Sequence, residues 1–173
     1  TISAGPLGEI SRVTQDDITT NYQLLGALGQ VRWEDVDSLL NPSRGLRVTA
    51  LVSPIYNFTD ADIFTRTRLQ ASTYLDLSSD KGSILALRGV VGSILGAEVG
   101  GVPPDKRFYA GGGGSVRGYV FQSIGPYYPN FAPPGTNRRF MDTPIGGLSV
   151  FEASAELRFK VTDNIQIVPF VDV

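Results

Sequence analysis

Apolar and polar residues alternate along most of this chain. The longest example covers residues 65–77. Its odd positions are Thr65, Thr67, Leu69, Ala71, Thr73, Leu75 and Leu77, and its even positions are Arg66, Arg68, Gln70, Ser72, Tyr74 and Asp76. Successive side chains of a strand point to opposite faces, so this spacing predicts a strand with one apolar and one polar face. Residues 149–161 repeat the pattern: Phe151, Ala153, Ala155, Leu157, Phe159 and Val161 oppose Glu152, Ser154, Glu156, Arg158 and Lys160, with Val150 as the exception. Ile165, Ile167, Val171 and Val173 continue an apolar face opposite Gln166 and Asp172, after a tight turn at Thr162-Asp163-Asn164. Upstream, Leu25, Ala27, Val31 and Trp33 face away from Gln30, Arg32 and Glu34. Leu46, Val48, Ala50 and Val52 alternate with Arg47, Thr49 and Ser53, and Leu51 sits on the polar side. Residues 84–95 are mostly apolar, with Arg88 on the inner side.

Alternation alone fits two architectures. A soluble β-sandwich turns its apolar faces inward and its polar faces to water. A membrane barrel does the reverse, with lipid outside and a polar lumen. Strand length favours the barrel. The 65–77 strand reaches 13 residues, against about 5–6 for a mean soluble strand and about 9–11 needed to cross a bilayer at a strong tilt. Every backbone group in lipid must be paired, so such strands belong to a closed barrel. The chain holds about five to seven strands, fewer than the minimum of about 8 for a barrel of this kind. It therefore reads as a piece of a larger barrel, an expectation its two ends also fit: it opens on Thr1 and stops inside an apolar run. Trp33, Tyr56, Phe58 and Phe64, near strand ends, are expected at headgroup depth.

Composition narrows the chemistry. Only 18% of the 173 residues are charged and 42% are hydrophobic, with a net charge of −2. That balance gives no basic surface for nucleic acid. Neither cysteine nor histidine is present, which removes thiolate chemistry, the commonest neutral-pH base and most zinc sites. Acidic pairs such as Asp35 and Asp37, or Asp60 and Asp62, lack the offsets of a calcium loop and read as turn residues. Glu152 and Glu156 share a face about 13 Å apart, too far for a glycosidase pair. No metal, no cofactor and no catalytic residue is expected.

Residues 96–148 show no sustained alternation. A connection this long is normally functional or disordered, and its tyrosines and phenylalanines argue against a plain linker. The first half is expected to pack and the stretch around 127–142 to be exposed. Within it lies RFYAGGGGSVRGY, residues 107–119. Gly111–Gly114 allow close backbone approach, but no helix or Lys-Ser/Thr follows, so a phosphate loop is not indicated. Arg117 fits either an exposed loop arginine or a buried one. A buried guanidinium must be paired, and the candidates are the inward acids Glu156 and Asp172, then Glu152.

RFYAGGGGSVRGYVFQSIGP resembles the signature of the inward-folded loop of the bacterial surface-antigen (D15-like) superfamily. That group includes the outer-membrane assembly factors BamA and TamA and the two-partner secretion transporters. PPDKRFYAGG and VRGYVFQSIGP are most similar to TamA-like members. LLNPSRGLRVTALVSP resembles the family's strand-start pattern, and GGLSVFEASAELRFKVTDNIQIVPFVDV its two strands after the loop. The likeness covers most of residues 24–173. It implies an all-β, antiparallel transmembrane barrel of 16 strands in the bacterial outer membrane, of which this chain is part of the C-terminal portion. It also implies that the loop arginine meets acids on the following strands. By motif that loop anchor is Arg117 with Gly118, Tyr119, Gly112 and Gly113, and the wall acids are Glu156 and Asp172, with Glu152 as a further candidate. The implied work is not enzymatic: insertion or translocation of unfolded β-barrel or autotransporter clients in contact with outer-membrane lipid. A periplasmic or inner-membrane partner would act through domains outside this chain. The rival classes are a soluble or surface β-sandwich binding module and a two-partner secretion pore.

Overall fold

The computed structural model describes residues 1–15, 18–78, 82–127, 144–162 and 164–173. The acids at 16–17, most of the 127–142 stretch expected to be exposed and Asp163 of the expected turn lie outside them. Eight strands form one antiparallel sheet: β1 (Ile2–Gln15), β2 (Ile18–Val36), β3 (Gly45–Asn57), β4 (Asp62–Asp76), β5 (Ser83–Leu95), β6 (Ser149–Thr162), β7 (Ile165–Ile167) and β8 (Phe170–Asp172). They follow chain order. β7 and β8 both pair with β6 and occupy one position, interrupted at Val168-Pro169. Leu157 N–H still reaches the Pro169 carbonyl at 3.0 Å, but proline has no N–H to return. The described strands form an open sheet with β1 at one edge and β7 and β8 at the other. No second sheet covers either face among the described residues, which removes the sandwich.

β1 and the first third of β2 were not legible as strands. Gly5, Pro6 and Gly8 lie inside β1, and these residues are depleted in strands and carry no alternation signal. Elsewhere parity holds. On β4, Leu69 and Leu75 are exposed on the bare face, whereas Phe64 and Ser72 are buried beneath the loop. Phe64 is fully buried, so it does not join an aromatic belt: its even number places it on the inner face with Arg66. Trp33 and Phe58 are exposed, and the Tyr56 and Phe58 rings meet edge to face at 4.7 Å.

The core lies where the loop covers the inner face. Tyr22 and Leu24 of β2, Ile55 of β3, Phe64 of β4 and Ile94 of β5 surround Val102 and Phe108 from the loop. This explains why β5 reads as nearly continuous apolar sequence. Its even positions Ile84, Ala86, Val90 and Ile94 are buried inward, while Leu87, Val91 and Leu95 face outward. Gly92 makes the notch for Phe108: a Cβ there would lie 2.6 Å from the ring's Cζ and 2.9 Å from a Val150 methyl. The loop enters through two 3₁₀ turns, Val99–Gly101 and Pro104–Lys106. Its limbs join by isolated bridges, Phe108 to Gly147 and Ala110 to Ile124.

Gly92→Ala is expected to overpack the notch and cost about 1–3 kcal/mol. The check is the temperature at which the parent barrel loses its compact, fast-migrating form on a gel. Adding Phe108→Leu should recover part of the loss.

Candidate functional site: a guanidinium between loop and wall

The inner face of β6 carries Glu152, Ser154, Glu156 and Arg158. β8 pairs with it so that Ser154 faces Asp172 and Glu156 faces Phe170. Antiparallel register thus sets two carboxylates diagonally, with an aromatic ring and a hydroxyl at the other corners. Arg117 descends onto this square. Its Nε and Nη2 donate to the two oxygens of Asp172, each at 2.7 Å, and its Nη1 donates to Glu156 Oε1 at 2.6 Å. Its backbone N–H adds a bond to Asp172 at 3.0 Å. The guanidinium carbon lies 3.6 Å from the centre of the Phe170 ring, within cation–π range. Parallel donation to one carboxylate is the geometry for which a guanidinium is built and a lysine is not.

Neighbours complete the site. Ser154 Oγ donates to Asp172 at 2.7 Å. Arg158 donates to the other oxygen of Glu156 at 3.0 and 3.2 Å. The Asp172 side chain is only 3% exposed, against 26% for Arg117. Hydrogen bonding to Asp172 first, and to Glu156, raises the guanidinium above its ordinary pKa despite burial. The group is a permanent cation and serves as a fixed charge, with no proton to exchange.

Glu152 is not a partner of Arg117. It is buried, takes Arg88 at 3.0 Å, and accepts a bond from Ser115 Oγ at 2.7 Å. The reason is reach: one guanidinium cannot span two acids four residues apart on a strand. Ser115 was missed by sequence reasoning. Its signal was spacing, because Ser115 and Arg117 stand two apart on the loop and meet two acids on one face of β6. Gly111 N–H donates to Ser115 Oγ at 3.0 Å.

The glycines divide. Gly111 and Gly112 take positive φ of 105° and 95°, and a Cβ on Gly111 would meet the Val120 carbonyl at 2.5 Å. Gly113 is exposed, and a Cβ there would meet nothing within 4 Å; it borders the cavity between loop and wall and makes no close contact of its own with the wall. Gly118, at φ +88°, turns the chain off the wall. Tyr119 beyond it is 60% exposed and takes no part in the site. Arg107 closes the loop on itself instead, donating to the carbonyls of Val102 at 2.8 Å and Ile145 at 2.9 Å.

A cavity of about 270 Å³ remains between loop and wall, lined by Arg88, Gly113, Gly114, Arg117, Glu156 and Arg158 among others. Its cations are all engaged with carboxylates, so it presents balanced charge. Among the described residues no cluster of three or more acids is placed to hold a metal ion.

The Omp85 superfamily domain matches residues 7–173. The chain belongs to the Omp85 superfamily. Among solved structures it is similar to BamA from Haemophilus ducreyi lacking POTRA domains 1–3, with a TM-score of 0.71 and 23% identity. The match covers 90% of this chain and 30% of that one, so the chain spans under a third of the relative's length. The fold is that of an outer-membrane barrel, seen here as a partial, open sheet, and Omp85 membership locates it in the bacterial outer membrane. Its bare apolar face is the lipid-facing one.

Two measurements follow from this site. Asp172→Asn should cost about 3–5 kcal/mol, because it breaks a buried pair and leaves Arg117 and Arg158 sharing the single charge of Glu156. Ser115→Ala should cost about 1.5–3 kcal/mol, the worth of a hydrogen bond to a charged group, since it takes a donor from Glu152 and an acceptor from the Gly111 N–H. Loop cleavage by added protease, in the parent barrel, should rank the two in that order. On the lipid face, Leu69→Arg should cost about 2–4 kcal/mol at mid-strand. Gln70→Arg, on the inner face of the same strand, should cost far less when both are unfolded by urea in vesicles.

Proposed function

We propose that this Omp85 domain belongs to a machine that inserts or translocates β-rich outer-membrane clients without enzymatic chemistry, and that Arg117 anchors its inner loop to the barrel wall. The observation that carries the reading is the guanidinium shared by Asp172 and Glu156. A passive pore needs an open lumen. A loop bonded to the wall at mid-height of β6 occupies that lumen and keeps this part of the barrel rigid. Clients would be templated by β-augmentation at the seam between the first and last strands of the whole barrel, with free energy supplied by client folding and lipid burial. The motifs PPDKRFYAGG and VRGYVFQSIGP favour a TamA-like member over a BamA-like one. Three periplasmic repeats upstream in the gene, instead of five, would support that choice.

Arg117→Ala in the full-length protein should lower client assembly severalfold while the barrel still reaches the membrane. Arg117→Lys should fall between, since it keeps the charge and loses the paired donors. Client assembly is read as folded client per cell in the outer-membrane fraction. Unchanged assembly in Arg117→Ala would overturn the anchoring role. Secretion of a single dedicated substrate, with no effect on barrel clients, would favour a two-partner secretion transporter.

A further inference from the structure

The loop is bonded to the wall at a second place, on the opposite flank of the sheet. Lys106, at the end of the second 3₁₀ turn, donates to Glu9 of β1 at 2.6 Å and to Asp105 at 2.8 Å. Both partners of the cross-sheet pair are mostly buried, with side-chain exposures of 19% for Lys106 and 28% for Glu9. The Lys106 carbonyl is also fixed, accepting from Arg66 Nε of β4 at 3.0 Å. The Arg66 guanidinium lies 4.6 Å from the centre of the Phe108 ring. Between Lys106 and Arg117 the chain is stiffened by the two bridges of Phe108 and Ala110. One end of this segment therefore holds the first strand of the sheet, and the other holds β6 and β8 at the far edge.

We propose that Lys106 and Glu9 are positioning residues that make the loop a brace across the inner face, fixing the separation of β1 from β8. Adjacent strands twist by about 20–25°, so across seven strand positions the separation of β1 from β8 sums the play at every strand pair between them. The described strands contain no direct pairing of β1 with β7 or β8. The segment from Lys106 to Arg117 makes that link through side chains. Glu9 gains its partner from a residue 97 positions away, and Asp172 gains its own from 55 away. Two tethers in series on one stiff segment act as a single connection.

This inference rests on the membrane-barrel reading and not on any client, so the two can fail separately. The test uses the full-length protein in vesicles with spin labels at Ile10→Cys and Val171→Cys, both outward and exposed. The expected result is a narrow β1–β8 distance distribution that broadens in Lys106→Ala and in Arg117→Ala. The double variant should broaden it no further, because breaking either tether releases the brace. Charge reversal gives the second arm. Glu9→Lys and Lys106→Glu should each broaden the distribution, and the combined swap should restore it. An unchanged distribution in both alanine variants would overturn the brace, as would additive broadening or a swap without rescue. Client assembly measured in parallel tests only the proposed function.

Discussion

A cation taken out of water must be surrounded by its opposites, and this structure is arranged around that demand. Arg117 can sit against the wall because β6 and β8 pair in a register that presents Asp172 and Glu156 together. The desolvation of three charges is repaid only if the geometry is good and the remaining lone pairs are met. Ser154 and Arg158 meet them. A shift of β8 by one residue in that register would turn Asp172 to lipid and leave Glu156, held inward by the pairing of β6 with β5, without it. The loop's placement and the strand pairing therefore specify each other.

The inner face is not uniformly polar. Below the loop's foot it is an apolar core built from β2, β3, β4 and β5 around Val102 and Phe108. Along β6 it becomes a charged surface where Arg88, Arg117 and Arg158 alternate with Glu152, Glu156 and Asp172. The core gives the loop most of its burial without fixing its orientation. The charged part adds directional bonds that do fix it.

Much of this was legible in sequence because a strand's period is short and local. The faces of β4 and β6 follow from parity, and so does the inward aim of Arg88, Glu156 and Asp172. What was not legible depends on partners far away. Phe64 looked like a boundary aromatic because nothing local reveals Phe108 above it. Glu152 looked equivalent to Glu156 because the two share a face, and only the loop's path separates them. Tyr119 stands beside Arg117 in the motif, but the turn at Gly118 sends it outward. Lys106 carried no signal, since its acid lies on a strand interrupted by glycine and proline.

The interruption at Pro169 implies an order of events in time. β7 follows β6 after only a short turn, a local hairpin of the kind that closes within about 1–10 μs. β8 lies beyond the missing N–H and cannot simply zipper on from it. Its carboxylate waits for a guanidinium carried on a distant loop, a contact of long sequence separation that is slow to find. The joining of β8 to the loop is therefore the late event here, and until the loop arrives Asp172 lacks the cation that holds β8 in register.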